Sequence, residues 1–139
     1  MNSYSINELS IGQSAEVERT VTEGDLYVFA GVTGDFNPVH LNEEFAAKSI
    51  FGERIAHGML TAGFISAALG TQLPGVGCIY LSQELKFRAP VKIGDTVKTV
   101  VTVADINMDK NRVSLKTECF KQDGTLVIDG MAIMKPVVK

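Results

Sequence analysis

The segment that decides the fold is Gly58-Met-Leu-Thr-Ala-Gly-Phe-Ile-Ser-Ala-Ala-Leu69, which carries no formal charge. Its length predicts a helix of about three turns, and its composition makes that helix apolar nearly all round. Many of its residues are small, so neighbouring backbone can approach closely. We therefore expect a central helix that is buried on every side.

The chain after Gly77 has the alternating pattern of β-strands. Valine and threonine alternate through residues 97–103, and Asp123-Gly124 is a strong hairpin signal. The pattern predicts four long strands in a meander, together with one earlier strand in residues 14–21. An antiparallel sheet curled around one buried helix, an α+β architecture, fits this arrangement.

A capped helix and a loop come before the apolar helix. Thr22 with Asp25 three residues later resembles a capping arrangement, and Gly34 is a candidate helix stop. Pro38 restricts the backbone in residues 35–41, which we expect to form a loop.

Composition limits the class of protein. The 139 residues allow one domain, and we expect residues 1–139 to form it. With a net charge of −3 and no basic block, the chain is a poor candidate for nucleic-acid binding. The uncharged stretch between Arg54 and Glu84 is interrupted by polar residues, and the N-terminus lacks the features of a signal peptide. We expect a soluble, cytoplasmic protein with no membrane partner.

The two cysteines, Cys78 and Cys119, are isolated from each other and from the histidines. No CxxC pair or Cys/His cluster occurs, so the sequence predicts no metal site. We expect both to be buried, reduced thiols.

Charge is distributed unevenly along the chain. Residues 1–50 hold eight acidic and two basic residues, a net of −6, whereas residues 51–139 hold eight acidic and eleven basic residues, a net of +3. Any anionic ligand group is therefore expected to bind the second part. The candidates are Arg54, Lys86, Arg88 and Lys92, although solvated surface charges are the commoner explanation for any one of them.

Asp35 and His40 are the first candidates for chemistry. They lie five residues apart across a turn that Pro38 stiffens. A carboxylate and an imidazole held in this way can share one water molecule and exchange protons near neutral pH. The alternative makes Asp35 a turn former after Gly34 and leaves His40 solvated. Spacing alone does not decide between the two.

His57 and Gly58 come at the start of the apolar helix. Backbone N–H groups in the first turn have no partner inside a helix and carry the positive end of its dipole. Because Gly58 has no side chain to block approach, its N–H is a candidate to stabilise negative charge on a carbonyl oxygen. The alternative is an ordinary helix start with glycine for close packing, and without further context we favour it.

Two segments together resemble the (R)-specific enoyl-CoA hydratases of the MaoC-like family. They are Phe29-Ala-Gly-Val-Thr-Gly-Asp-Phe-Asn-Pro-Val-His40 and Arg54-Ile-Ala-His-Gly-Met-Leu60. The resemblance extends along the chain and includes residues 75–81 and 87–95. Either motif alone is a modest signal, but both at this separation are specific.

The resemblance implies a hot-dog fold, in which an antiparallel sheet wraps a long helix and two such units form a dimer. It implies that Asp35 and His40 are the catalytic pair that activates water. It also implies that Gly58 supplies an N–H to the thioester carbonyl, and that Ser66 and His57 belong to the substrate-binding set. The implied reaction is reversible syn hydration of a trans-2-enoyl-CoA to an (R)-3-hydroxyacyl-CoA. Coenzyme A is then part of the substrate, and no cofactor or metal is expected.

Two rival functions remain. A hot-dog thioesterase would also bind an acyl thioester but would direct water at the carbonyl carbon, which the pairing of Asp35 with His40 argues against. A non-catalytic acyl-CoA-binding module would keep the fold without turnover, and the presence of every motif residue argues against it.

Overall fold

The structure, a computed structural model, describes all 139 residues. Five strands and four α-helices follow a short 3-10 turn at Ile6–Glu8. Their bounds are β1 Ser14–Thr20, α1 Glu23–Thr33, α2 Pro38–Leu41, α3 Glu43–Ala47, α4 Gly58–Thr71, β2 Ile79–Phe87, β3 Thr96–Asn107, β4 Arg112–Phe120 and β5 Leu126–Lys135.

The strands form one antiparallel sheet in the order β1-β3-β4-β5-β2. The predicted meander of four strands is therefore wrong, because only β3, β4 and β5 are neighbours in chain order. Strand β2 pairs with β5 at one edge, and residues 88–95 carry the chain back to β3 beside β1. Alternation of apolar residues identifies a strand but does not say which strand lies next to it.

Helix α4 packs its apolar residues against one face of the sheet, where it contacts β1, β2, β3 and β4. Ile65, Ala68 and Leu69 are fully buried, and the inward residues of β3 and β4 alternate with half-buried and exposed ones along each strand. The predicted burial of α4 on every side is wrong, however. One stripe of the helix is exposed and consists of Gly58, Met59, Gly63, Ser66 and Ala67.

The segment before α4 largely agrees with the sequence-based prediction. Thr22 caps α1 reciprocally with Asp25, and Gly34 ends that helix in the left-handed conformation at φ 80°. Residues 35–41 are not wholly a loop, because Pro38 begins the one-turn helix α2. Asn37 caps α2 by accepting a hydrogen bond from the N–H of Val39 at 3.3 Å.

The two cysteines are free, as predicted. Cys119 is buried, and burial raises the pKa of its thiol to about 11. Cys78 is only half-buried. None of the helices has the length and apolar character needed to span a membrane.

Gly130 offers a test of the pairing between β5 and β2. A Cβ atom at this position would lie 1.7 Å from the carbonyl oxygen of Glu84, so Gly130→Ala must push the two strands apart. We expect the free energy of unfolding to fall by at least about 2 kcal/mol. Denaturant titration measures it.

Gly31→Ala is the matched control, because Gly31 lies inside α1 and a Cβ there meets nothing within 4 Å. This change should stabilise the protein by about 0.5–1 kcal/mol. Equal stability of the two variants would contradict the close approach of β5 to β2.

Candidate active site

His40 lies on α2 and is buried, with 8% of its surface exposed. Its Nδ1 is 2.7 Å from the carbonyl oxygen of Ile55. A carbonyl oxygen only accepts hydrogen bonds, so the neutral ring carries its hydrogen on Nδ1. The Nε2 atom therefore keeps its lone pair and is free to accept a proton. The alternative of a solvated His40 is wrong.

Asp35 stands beside this ring in the exposed loop after Gly34. One of its carboxylate oxygens accepts a hydrogen bond from the N–H of Asn37 at 3.2 Å. A carboxylate oxygen of Asp35 and a ring nitrogen of His40 lie within 4.8 Å of each other. That separation leaves room for one water molecule hydrogen-bonded to both. The structure thus brings the predicted pair together.

A cavity of about 350 Å³ opens beside His40 and Gly58. Its remaining wall is mainly apolar and is formed by Phe51, Ile55, Ala56, Thr61, Phe87, Arg88, Ala89, Pro90, Val91 and Ile128. Gly58 is the first residue of α4, and its N–H makes no hydrogen bond within the chain. Because a Cβ at Gly58 would lie 2.8 Å from the ring of Phe87, only glycine fits here without displacing that ring.

The other two residues of the predicted site lie elsewhere. The ring of His57 is buried, with 2% of its surface exposed, and is not part of the cavity wall. Ser66 is on the exposed stripe of α4, eight residues beyond Gly58, or about 12 Å along the helix axis. It lines a separate groove of about 400 Å³ against β2.

A model of the MaoC-like domain matches residues 7–122. The chain belongs to the MaoC-like family. It is 52% identical over 130 residues to an (R)-specific enoyl-CoA hydratase from Rhodospirillum rubrum, covering 93% of this chain and 90% of the relative. It is 48% identical over 128 residues to a 3-hydroxybutyryl-CoA dehydratase from Methylorubrum extorquens, covering 92% and 81%.

The solved structure of an R-hydratase from Pseudomonas aeruginosa in the unliganded form matches this MaoC-like chain with a TM-score of 0.92 and 47% identity. The match covers 97% of this chain and 86% of the other. The hot-dog fold and the family resemblance seen in the sequence are both confirmed.

The basic residues proposed for an anionic group occupy different settings in this MaoC-like domain. Arg54 is buried and pairs with Glu23 at 2.7 Å and Glu43 at 3.1 Å, so it is not available to a ligand and its assignment is wrong. Lys92 pairs with Glu53 at 3.3 Å. Arg88 lies on the cavity wall and binds Asp129, and Lys86 is exposed two residues earlier.

Burial lowers the pKa of His40 below its ordinary value, and the neighbouring His57 ring lowers it further. The Ile55 carbonyl and the Asp35 carboxylate oppose this shift by favouring the charged ring. Because burial is the largest effect, the ring is neutral at neutral pH. The Nε2 of His40 can therefore accept a hydrogen bond, and then a proton, from water.

The side chains of Asp35, His40 and His57 could also bind a metal ion, and their geometry tests this alternative. Single ligand atoms of Asp35, His40 and His57 all lie within 4.8 Å of one another. The two rings stack, however, with centroids 3.9 Å apart and planes inclined by 27°. Their lone pairs lie in two nearly parallel planes about one ring thickness apart, and an ion in the plane of one ring is out of the plane of the other. The geometry fits a water between Asp35 and His40 better than a metal.

Sequence reasoning did not assign Phe87, Phe51 or Thr61 to the site. Phe87 begins one of the segments that carried the family resemblance, but its position in a strand gave no sign that it faces Gly58. Phe51 lies in a segment without periodicity. Thr61 falls in the helix that was expected to be wholly core.

The pH dependence of stability tests the burial of neutral His40. Because its pKa is lower in the folded protein than in the unfolded chain, the unfolded chain binds the proton more tightly. The stability contributed by neutral His40 is present above its unfolded pKa and is lost as pH falls from that value through the lower folded pKa. We expect the free energy of unfolding to decrease between about pH 7 and about pH 5.

Denaturant titrations at several pH values measure this slope, and the His40→Gln variant should show a smaller one. Carboxylates with lowered pKa values, such as Glu8 and Asp95, lose their contribution at lower pH, outside this window. Equal slopes for the two proteins would contradict the burial of a neutral ring.

Proposed function

We propose that the chain is an (R)-specific enoyl-CoA hydratase, which adds water reversibly and syn to a trans-2-enoyl-CoA to give an (R)-3-hydroxyacyl-CoA. The observation that carries this proposal is the pairing of the Asp35 carboxylate with His40 beside the cavity that Gly58 lines. The names of the relatives from Rhodospirillum rubrum and Methylorubrum extorquens support the same reaction class.

Asp35 and His40 are proposed to hold the attacking water. The carboxylate and the bare Nε2 are both acceptors, so each takes one hydrogen of the water and a lone pair of its oxygen is left for C3. The new C–O bond forms at C3 while one water hydrogen passes to the pair. The pair then delivers a proton to C2 from the same face, which makes the addition syn.

Gly58 is proposed to stabilise the charge that develops during this step. When oxygen bonds to C3, the electrons of the C2–C3 double bond move toward the thioester carbonyl oxygen. The free N–H of Gly58, at the positive end of α4, is suited to bind that oxygen. No step in this scheme uses a cofactor, and coenzyme A enters as part of the substrate.

The whole chain is proposed to act as one MaoC-like domain, residues 1–139, in the cytoplasm. The family model ends at residue 122, but β5 lies beyond it and pairs with both β4 and β2. The last strand therefore belongs to the same sheet as the matched part.

A hydratase assay with crotonyl-CoA separates the candidate activities. A hydratase removes the enoyl absorbance without releasing thiol, whereas a thioesterase releases free thiol. A non-catalytic binding module binds the thioester without either change. The Asp35–His40 geometry favours the hydratase.

Asp35→Asn and His40→Gln should each lower kcat by about 10²–10⁴, with a smaller effect on KM. Each change replaces a group that can take up a proton from the shared water by a neutral amide, which cannot. Since the two residues act on one water, the double variant should lose little more than the worse single variant. Steady-state kinetics with crotonyl-CoA measure the losses, and circular dichroism checks folding. A folded single variant with near-normal turnover would contradict the shared-water mechanism.

A homodimer formed through β2 is proposed on the contrast between the two edges of the sheet. The outer edge strand β1 exposes charged residues, Glu16, Glu18 and Arg19, which discourage pairing with another chain. The first half of edge strand β2 instead exposes Ile79 and Leu81 at 52% and 44%, and its exposed charged residues, Glu84 and Lys86, lie in the second half. It lies against the groove that contains Ser66. A second copy would cover this apolar surface. Because Ser66 lies away from the cavity beside His40, the substrate contact expected of it requires a cleft formed together with that second copy.

Light scattering should give a mass of two or more chains. Leu81→Glu should shift the protein toward the monomer, because it places a charge in the contact. The control is Ile11→Glu, which changes an apolar side chain of 68% exposure outside β2. A wild-type monomer with full activity would contradict the dimer, as would the same effect from both variants.

Arg88 is proposed to attract the anionic carrier group, since it lies where β2 ends at the cavity wall. Arg88→Ala should raise KM for crotonyl-CoA by about 3–10-fold at low ionic strength and by less at high salt, where charges are screened. Lys110→Ala, in the turn between β3 and β4, is the control. The proposed role of Arg88 is wrong if both variants show the same KM, or if the wild-type KM does not change with ionic strength.

A further inference from the structure

His57 makes contacts that neither substrate binding nor the proposed proton transfer uses. It is the residue before α4, and its Nε2 is 3.0 Å from the backbone carbonyl oxygen of Asp35. Its ring stacks on His40 at 3.9 Å and lies 4.7 Å from the ring of Phe29. Because a carbonyl oxygen only accepts, this contact requires a hydrogen on Nε2.

The other ring nitrogen then carries a bare lone pair. The Nδ1 of His57 is buried without a hydrogen-bond partner, and so is the hydroxyl of Thr61. The two residues are four positions apart, which places them on the same side of the first turn of α4. One buried atom can only accept and the other can donate, while leaving both unpaired is costly. Rotation of the Thr61 side chain or one internal water would join them.

We propose that His57 is a positioning residue whose tautomer Thr61 fixes, so that its ring ties the Asp35 backbone to α4 and supports the face of His40. The effect on catalysis rests on the proposed hydratase function. The hydrogen bonds themselves do not depend on it.

The Asp35 loop depends on this tie. The other hydrogen bonds of residues 35–37 are local: Asp35 N–H donates to Thr33, Phe36 N–H to Gly34, and Asn37 N–H to the Asp35 carboxylate. The bond from His57 joins residues 22 positions apart. His40 is held separately by Ile55. Without His57, the carboxylate of Asp35 is free to move relative to Nε2 of His40.

Ring-nitrogen NMR of protein labelled with ¹⁵N-histidine tests the tautomer directly. The chain has only two histidines, so the spectrum contains two ring systems, and His57→Phe assigns them. At about neutral pH we expect hydrogen on Nε2 of His57 and on Nδ1 of His40. Thr61→Val should shift the Nδ1 resonance of His57, and Thr61→Ser should restore it. Hydrogen on Nδ1 of His57, or no shift in Thr61→Val, would overturn the proposal.

Kinetics test the positioning role. His57→Phe keeps an aromatic ring but loses both hydrogen bonds, and it should lower kcat by about 10–100-fold with KM changed by less than about threefold. His57→Gln retains an N–H that can reach the Asp35 carbonyl and should recover part of this loss. Melting curves check that each variant is folded.

The outcomes are separable. If the wild type does not hydrate crotonyl-CoA, the proposed function is wrong. The NMR experiment still tests whether His57 makes the hydrogen bonds to Asp35 and Thr61, because it does not depend on activity. If a folded His57→Phe keeps normal kcat, the positioning role is overturned. If His57→Phe does not fold, Thr61→Val tests the positioning role instead. We expect this variant to shift the Nδ1 resonance of His57 and to lower kcat several-fold.

Discussion

Burial of α4 against the sheet is the constraint on which the site depends, because it fixes the short segment that enters the helix. That segment makes each contact that aligns the candidate groups. The carbonyl of Ile55 holds His40, the ring of His57 holds the Asp35 backbone, and the N–H of Gly58 is left free. The fully buried Ile65 and Leu69 anchor the same helix further along.

The sequence predicted the local parts of this arrangement well. The five-residue spacing of Asp35 and His40 across Pro38 made their pairing one of two interpretations, because a turn is a local structure, and the family resemblance decided between them. The spacing was not sufficient to predict that His40 is buried, since that depends on Ile55, fifteen residues away. Arg54 was misjudged for the same reason: its partners Glu23 and Glu43 come from distant positions in the chain.

The order of the strands in the sheet and the exposed stripe of α4 could not be predicted from the sequence pattern either. A strand with alternating apolar residues has the same sequence pattern at an edge as in the middle of a sheet. The meander prediction therefore put β2 beside β3, whereas the structure pairs β2 with β5. The small and apolar residues of α4 are compatible both with burial against the sheet and with contact to a second chain, so the sequence does not show which side of the helix is exposed. The stripe of α4 that contains Gly63 and Ser66 is exposed beside β2, whose first residues, Ile79 and Leu81, are exposed and apolar.

Hydration of crotonyl-CoA in D₂O tests the central claim, that one water held by Asp35 and His40 adds to one face of the substrate. Chiral separation of the product gives the configuration at C3, and NMR coupling gives the position of deuterium at C2 relative to C3. We expect the (R)-3-hydroxy product with deuterium at a single C2 position, as syn addition requires. An (S) product, or deuterium placed on C2 by anti addition, would contradict it, and so would release of free thiol in place of hydration.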